Sequence, residues 1–215
     1  MPLRHPRRLV DHGDWQADRQ GEQTEAAVKG RKKVRARLAA AAVQEDMALA
    51  RLDLGFDMDT VDGYVLSAGQ EWVLVALFDS VVVLNGHVAV RTEDIRRVER
   101  RHNGDFAQQA LALRGQWPPV MPDPEPDLDS TRGLVGSLMH EPALTVRADH
   151  DIPDLALVGV PVELDKRHLR LLEITPRAVW LSKPTKHRLA GLTRVDFGGR
   201  YEQALLSVAG PMPMG

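Results

Sequence analysis

The chain of 215 residues has no cysteine. That excludes disulfides, thiolate nucleophiles and cysteine-based zinc sites. No apolar run approaches the roughly 18 residues that a membrane-crossing helix needs. The N-terminus, Met1-Pro2-Leu3-Arg4-His5-Pro6-Arg7-Arg8, continues into polar sequence without an apolar core, so no export signal is expected. The cytoplasm is the expected compartment, and no membrane partner is expected. Glycine and proline, 17 and 14 residues, stay well short of collagen-like or low-complexity usage.

What is present is an ordinary globular composition, 43% hydrophobic and 27% charged. The formal net charge of −2 hides an asymmetry. Residues 1–40 carry ten Lys and Arg against five acids, a net +5, which leaves −7 for the remainder. Residues 1–21 lack an apolar period and are expected to be a disordered tail, since they cannot bury enough surface to offset ordering entropy. Residues 22–54 are rich in Ala, Glu, Gln, Lys and Arg and contain no proline, which predicts a helix, basic at its start and amphipathic further on. Val34, Leu38, Ala41 and Ala42 recur at helical spacing.

Residues 117–128 hold five prolines and read as a stiff, extended linker. It divides the folded part into a first β unit over 55–116 and a second over 129–210, with a short tail at 211–215. The two units resemble each other. Asp94-Ile95-Arg96-Arg97-Val98 followed by Phe106–Gly115 matches Gly191-Leu192-Thr193-Arg194-Val195 followed by Tyr201–Gly210. The offset is 97 at Val98/Val195 and 96 at Gly63/Gly159. This pattern predicts an internal repeat.

Within the first unit, Val61–Ala68, Glu71–Asp79, Val81–Leu84, His87–Thr92 and Ile95–Val98 read as short strands. Asn85-Gly86 gives a hairpin signal, because both central residues of a type I′ turn need positive φ. A helix over Phe106–Arg114 should bury Phe106, Ala110 and Leu113. In the second unit the expected strands are Ala143–Arg147, Ala156–Leu164, His168–Ile174, Ala178–Ser182, Lys186–Leu189 and Leu192–Phe197. A small helix is expected over Leu128–Leu138 and a closing helix over Tyr201–Val208, with Tyr201, Leu205 and Val208 inward. The expected class is therefore mainly β with helices (α+β): two small bent-sheet repeats, each ending in a short helix, preceded by an N-terminal helix.

The stretch from Val61 to Val98 resembles the Sm-like fold, an SH3-type small β-barrel. Gly63 stands in a first strand, a long apolar second strand ends in Asp79, Asn85-Gly86 follows, and Ile95–Val98 is a short last strand. Over about 60–210 the chain resembles bacterial proteins that carry two such halves. The resemblance implies tandem small barrels and RNA association. In that family a nucleotide meets an acid and an Asn standing close together; the matching residues here, Asp79 and Asn85, are six apart.

Candidate chemistry is sparse. The basic run from Lys29 to Arg37 (Lys29, Arg31, Lys32, Lys33, Arg35, Arg37) could neutralise phosphates and release counterions. It has no interleaved aromatics on which bases would stack. A second cluster, Arg96, Arg97, Arg100, Arg101 and His102, is neutralised by Glu93, Asp94 and Glu99 and reads as a salt-bridged surface. Asp149-His150-Asp151 invites a metal or acid–base reading, but no ligand spacing supports it. Asp196-Phe197-Gly198 reads as a strand end plus a turn with Phe197 in the core. Trp72 and Trp180 are expected in the core or between the halves. No catalytic, cofactor-binding or metal-binding residue is expected. The sequence predicts a non-enzymatic binding or scaffolding protein with a protein partner or a homo-oligomer. The alternative is RNA or DNA association through segment 29–37.

Overall fold

The computed structural model describes residues 30, 32–42, 48–56, 59–102 and 104–213. Residues 32–41 form α1. Then come β1 (Leu49–Leu54), β2 (Thr60–Ala68), β3 (Trp72–Phe78), β4 (Leu84–Arg91), β5 (Ile95–Arg100) and α2 (Gly104–Leu113). The second half contains α3 (Thr131–Ser137), β6 (Leu144–Arg147), β7 (Ala156–Leu164), β8 (His168–Ile174), β9 (Thr185–Arg188), β10 (Arg194–Phe197) and α4 (Arg200–Ala209). Short 3-10 turns, Thr92–Asp94 and Leu189–Gly191, link β4 to β5 and β9 to β10.

All ten strands belong to one antiparallel sheet in the order β5-β1-β2-β3-β4-β10-β6-β7-β8-β9. Each half contributes five neighbouring strands in the order fifth, first, second, third, fourth. The halves meet where β4 pairs with β10, with Val195 opposite Ala89. Among the described residues the sheet is open: β5 ends it on one side and β9 on the other.

Gly63 and Gly159 occupy matching places in β2 and β7. A Cβ on Gly159 would lie 2.6 Å from the Leu172 carbonyl oxygen, and one on Gly63 would meet the Ala76 carbonyl oxygen on the neighbouring strand. Two residues beyond each glycine the ladder slips, at Val65/Ser67 and at Pro161/Glu163. Such a bulge bends the strand and sharpens its twist. The bend lets β2 and β7 serve cores on both sides of a curved sheet.

Strand β3 is buried on both faces, which is why it reads as a continuous apolar run. Its Val73 and Val75 join Val88, Val90, Leu52 and Val61 under α1, which contributes Val34 and Leu38. Its Trp72 and Leu74 face a second core that also holds Leu111 of α2, Leu134 of α3, and Leu169 and Phe197 of the other half. This second core crosses the β4/β10 seam. A third, smaller cluster seats Leu205 of α4 on Ala143, Val158 and Ile174.

Several expectations need correction. Leu49–Leu54, placed in the 22–54 helix by composition, is strand β1, held between β2 and β5. Residues 22–29 and 43–47 of that segment, like the 1–21 tail, lie outside the described residues. Asn85-Gly86 does not turn a hairpin; both sit inside β4, and Gly86 uses its positive φ of 74° there. The turn falls earlier, at Asp79–Val83, where the Asp79 carboxylate accepts from Ser80 and Val81. Ala178–Ser182 forms no strand, and Trp180 makes only a single bridge to Ile174. The 117–128 segment ends against the shared core. Leu128 is buried in the shared core and its carbonyl accepts from the N–H groups of Glu71 and Trp72, at 3.2 and 3.0 Å. Helix α2 buries Ala107 and Leu111 while Phe106 and Leu113 face solvent; α4 buries Glu202 and Leu205 while Tyr201 and Val208 are exposed.

Candidate functional site

The two end strands are the first candidate. Hydrogen-bonded and non-bonded residue pairs alternate along an antiparallel ladder, so one known bond fixes which way each backbone group points. At the seam, the Arg91 N–H donates to the Thr193 carbonyl at 3.0 Å. The Thr193 N–H points the other way, to the Arg147 carbonyl of β6 at 2.9 Å, but along the regular ladder that follows, Val195 and Phe197 turn both backbone groups toward β4, where Val195 meets Ala89. In β5 the Arg101 N–H donates inward to the Leu49 carbonyl at 2.8 Å. Glu99 and Arg97 then also face β1, and Val98 turns its N–H and C=O to the outside. In β9 the Leu189 N–H donates inward to the Arg167 carbonyl at 2.8 Å. Thr185 and His187 then face β8, and Lys186 points outward. Val98 stands 97 residues before Val195, and Lys186 stands 97 residues after Ala89. The free edges thus present the same two positions that are joined at the seam.

Side chains flank these edges in matching ways. Arg194 and Asp196 pair on β10 at 2.7 Å, and Arg97 pairs with Glu99 on β5. At the seam Asp59, from the β1–β2 connection, reaches across to Arg147 at 3.1 Å and Arg194 at 3.7 Å. In the β6–β7 connection the exposed Asp154 lies 3.7 Å from Arg147. On β9, Thr185 and His187 share the carboxylate of Glu173.

A basic cleft is the second candidate. It measures about 790 Å³ and lies where α3, the β7–β8 turn and the end of β9 meet. Arg132, Lys166, Arg167 and Arg188 line it, and none of them forms an ion pair with a carboxylate of the described residues. Asp165 shapes the turn that presents Lys166 and Arg167. It accepts from the N–H groups of Arg167 and His168 at 2.7 and 2.8 Å. The bond from Arg167 is the first reason its carboxyl sits low, at about 2. Arg91 and Glu71 close the inner wall. Arg91 is spent on structure: its guanidinium lies 5.0 Å over the Trp72 ring and donates to the Leu192 carbonyl and Thr131 Oγ1. Glu71 accepts from the Thr131 N–H and hydroxyl.

The described part of the basic run lies on α1. Lys29 and Arg31 lie outside the described residues. Lys32 and Lys33 are exposed on α1. Arg35 donates to the Gln70 carbonyl at 3.0 Å and Arg37 to the Val98 carbonyl at 3.1 Å. Two of its cations are therefore turned toward backbone oxygens of the sheet. Arg101 of the second cluster approaches Asp62 at 3.9 Å, in keeping with a salt-bridged surface.

The remaining candidates are structural. Asp149 is buried and accepts from the Thr193 hydroxyl at 2.5 Å and from Arg147. His150 bonds Asp94 at 2.9 Å and stands edge-on to Phe56. Burial pushes the Asp94 carboxyl up, against the pull of that histidine. Asp79 and Asn85 come together, but on a cation of the other half: Arg200 donates to Asp79 at 2.8 Å and its backbone N–H to Asn85 Oδ1 at 2.9 Å. Phe197 is buried at the end of β10 and Gly198 turns with positive φ, as expected. Trp72 is fully buried. Among the described residues no three His, Asp or Glu side chains cluster as a metal site, and no helix is long and apolar enough to cross a membrane.

No family model, no curated protein and no solved structure matches this chain.

Proposed function

We propose that the protein is a non-enzymatic scaffold that associates with itself head to tail, the β9 edge of one copy pairing with the β5 edge of the next. One observation carries this reading: the seam between β4 and β10 joins the fourth strand of one half to the fifth strand of the other, and the free edges are again a fourth and a fifth strand. Copying the seam register places Lys186 opposite Val98, the two exchanging both backbone hydrogen bonds. Unpaired edges are templates for pairing, and a head-to-tail contact propagates into a ring or a filament. The common strand order, the paired glycines Gly63 and Gly159 and the bulge after each support reading the halves as two Sm-like repeats.

Sedimentation velocity over a concentration series tests the reading. The variant Lys186→Pro loses an N–H that points away from β8, so it keeps the internal ladder; proline is tolerated at such edge positions. Wild type should form species larger than one chain, and Lys186→Pro should stay a single chain with an unchanged melting curve. Equal association of the two proteins would overturn the β9 assignment.

A second reading, association with RNA or DNA, draws on the basic cleft rather than on segment 29–37. Lysines and arginines without acidic partners suit a phosphate backbone, and the binding would weaken steeply with salt. Charge reversal at Lys166 and Arg167 should then abolish retention of a single-stranded oligonucleotide at low salt. Charge reversal at Lys32 and Lys33 should leave it in place.

A further inference from the structure

The outward carbonyl of Val98 is already in use. Arg37, on α1, donates to it at 3.1 Å. Helix α1 is pinned against the sheet by Val34 and Leu38, which are 8% and 1% exposed. The reach of Arg37 to the edge is therefore a fixed feature of the fold, while its side chain stays largely in solvent. At the seam, the equivalent carbonyl of Val195 faces Ala89 of β4. Under the head-to-tail reading, the group that must donate to the Val98 carbonyl is the backbone N–H of Lys186 in the next copy. A carbonyl oxygen has two lone pairs, but a guanidinium held 3.1 Å from it competes with an incoming N–H for the acceptor and for room at the edge.

We infer that Arg37 is a guard on the β5 edge, an intramolecular stand-in for the neighbouring strand that must be displaced before a second copy can dock. This rests on the self-association reading and adds its regulation. The guard covers one of the two outward groups of Val98 and leaves its N–H open. It weakens docking without forbidding it, and it makes association depend on the state of the basic helix. An arginine suits this role. Its planar fork bonds a carbonyl strongly when nothing better is offered, and its long stem lets it swing away into water without moving the helix. The neighbouring cation Arg35 bonds Gln70 at 3.0 Å, away from β5, and takes no part.

The test is self-association of the full chain measured by sedimentation over a concentration series. The proteins compared are wild type, Arg37→Gln, Lys33→Gln and the double variant Arg37→Gln/Lys186→Pro. Lys33 is exposed on the same helix and has no bond to β5, so Lys33→Gln removes an equal charge without freeing the carbonyl. Arg37→Gln should associate about tenfold more tightly, equivalent to about 1.4 kcal/mol. Lys33→Gln should behave as wild type, and the double variant should lose the gain. Association of wild type that the double variant abolishes but Arg37→Gln leaves unchanged would overturn the guard and keep the scaffold. An equal gain in Lys33→Gln would overturn it too, since charge alone would then explain the effect. Absence of association in all four proteins would overturn the scaffold reading and the guard with it.

Discussion

Val98 and Val195 hold the same position in their strands, but Val195 is enclosed between β4 and β6 while the outward carbonyl of Val98 accepts from the guanidinium of Arg37 at 3.1 Å. The difference marks where the internal pairing of the two halves ends. Each half supplies a fifth strand that accepts a fourth strand; only one of the two junctions can be made within a single chain.

The two glycines that set the bends can be tested against a third. Gly63→Ala and Gly159→Ala each force a methyl group into a neighbouring strand's backbone and should cost about 1–3 kcal/mol. Gly30 is helical and has nothing within 4 Å of a built Cβ. Gly30→Ala should be neutral or stabilising by up to about 1 kcal/mol. Urea denaturation of the three variants checks the contrast.

Tyr64 is 1% exposed, and its hydroxyl has no hydrogen-bond partner. Burial pushes its phenol up to about 12. The unfolded chain ionises near the ordinary value of about 10, so this group's contribution to stability is intact below pH 10. It is lost as pH rises from about 10 through 12. Tyr64→Phe removes an unpaired buried hydroxyl and should hold or raise stability, by up to about 1–2 kcal/mol. The variant should also flatten the alkaline limb of a stability–pH curve. Loss of stability in the variant at neutral pH would show that the hydroxyl has a partner.

The orientation of α2 makes a direct prediction. Leu111 is fully buried and Leu113 is 91% exposed. Leu111→Ala should cost about 2–5 kcal/mol, and Leu113→Ala should stay within about 0.5 kcal/mol. The reverse order in thermal denaturation would restore the face expected from the sequence.

Strands β7 and β8 could be read directly, because Ala156–Leu164 and His168–Ile174 are bounded by Pro153 and Asp165-Lys166-Arg167. The shared strand order of the two halves follows residues that match in the sequence at offsets near 96. Leu49–Leu54 misled because its Ala, Leu, Arg and Asp composition favours helix, while pairing on both sides imposes a strand. The face of α2 misled because Phe106, Ala110 and Leu113 form its most apolar stripe. The place against Leu49 and Tyr64 takes instead the smaller surface of Ala107 and Leu111. Asn85-Gly86 misled because Asp79 had already set the turn through its own side-chain bonds. Neither the open edges nor the basic cleft could be read from sequence. Which strand ends the sheet, and that Arg132 meets Lys166 and Arg188, depend on contacts between distant segments.

The absence of cysteine gives the most direct test of head-to-tail pairing. In the proposed register Glu99 of one copy faces Thr185 of the next at a non-hydrogen-bonded position. Residues so placed are about 4.5 Å apart at Cα, within reach of a disulfide. Within one chain they lie on opposite ends of the sheet. The variant Glu99→Cys/Thr185→Cys, oxidised mildly and run on a non-reducing gel, should give a ladder of covalent oligomers. Arg97→Cys/Thr185→Cys, two residues out of register, should give far less. A double variant that stays a single chain, or ladders of equal strength from both pairs, would contradict the proposed pairing.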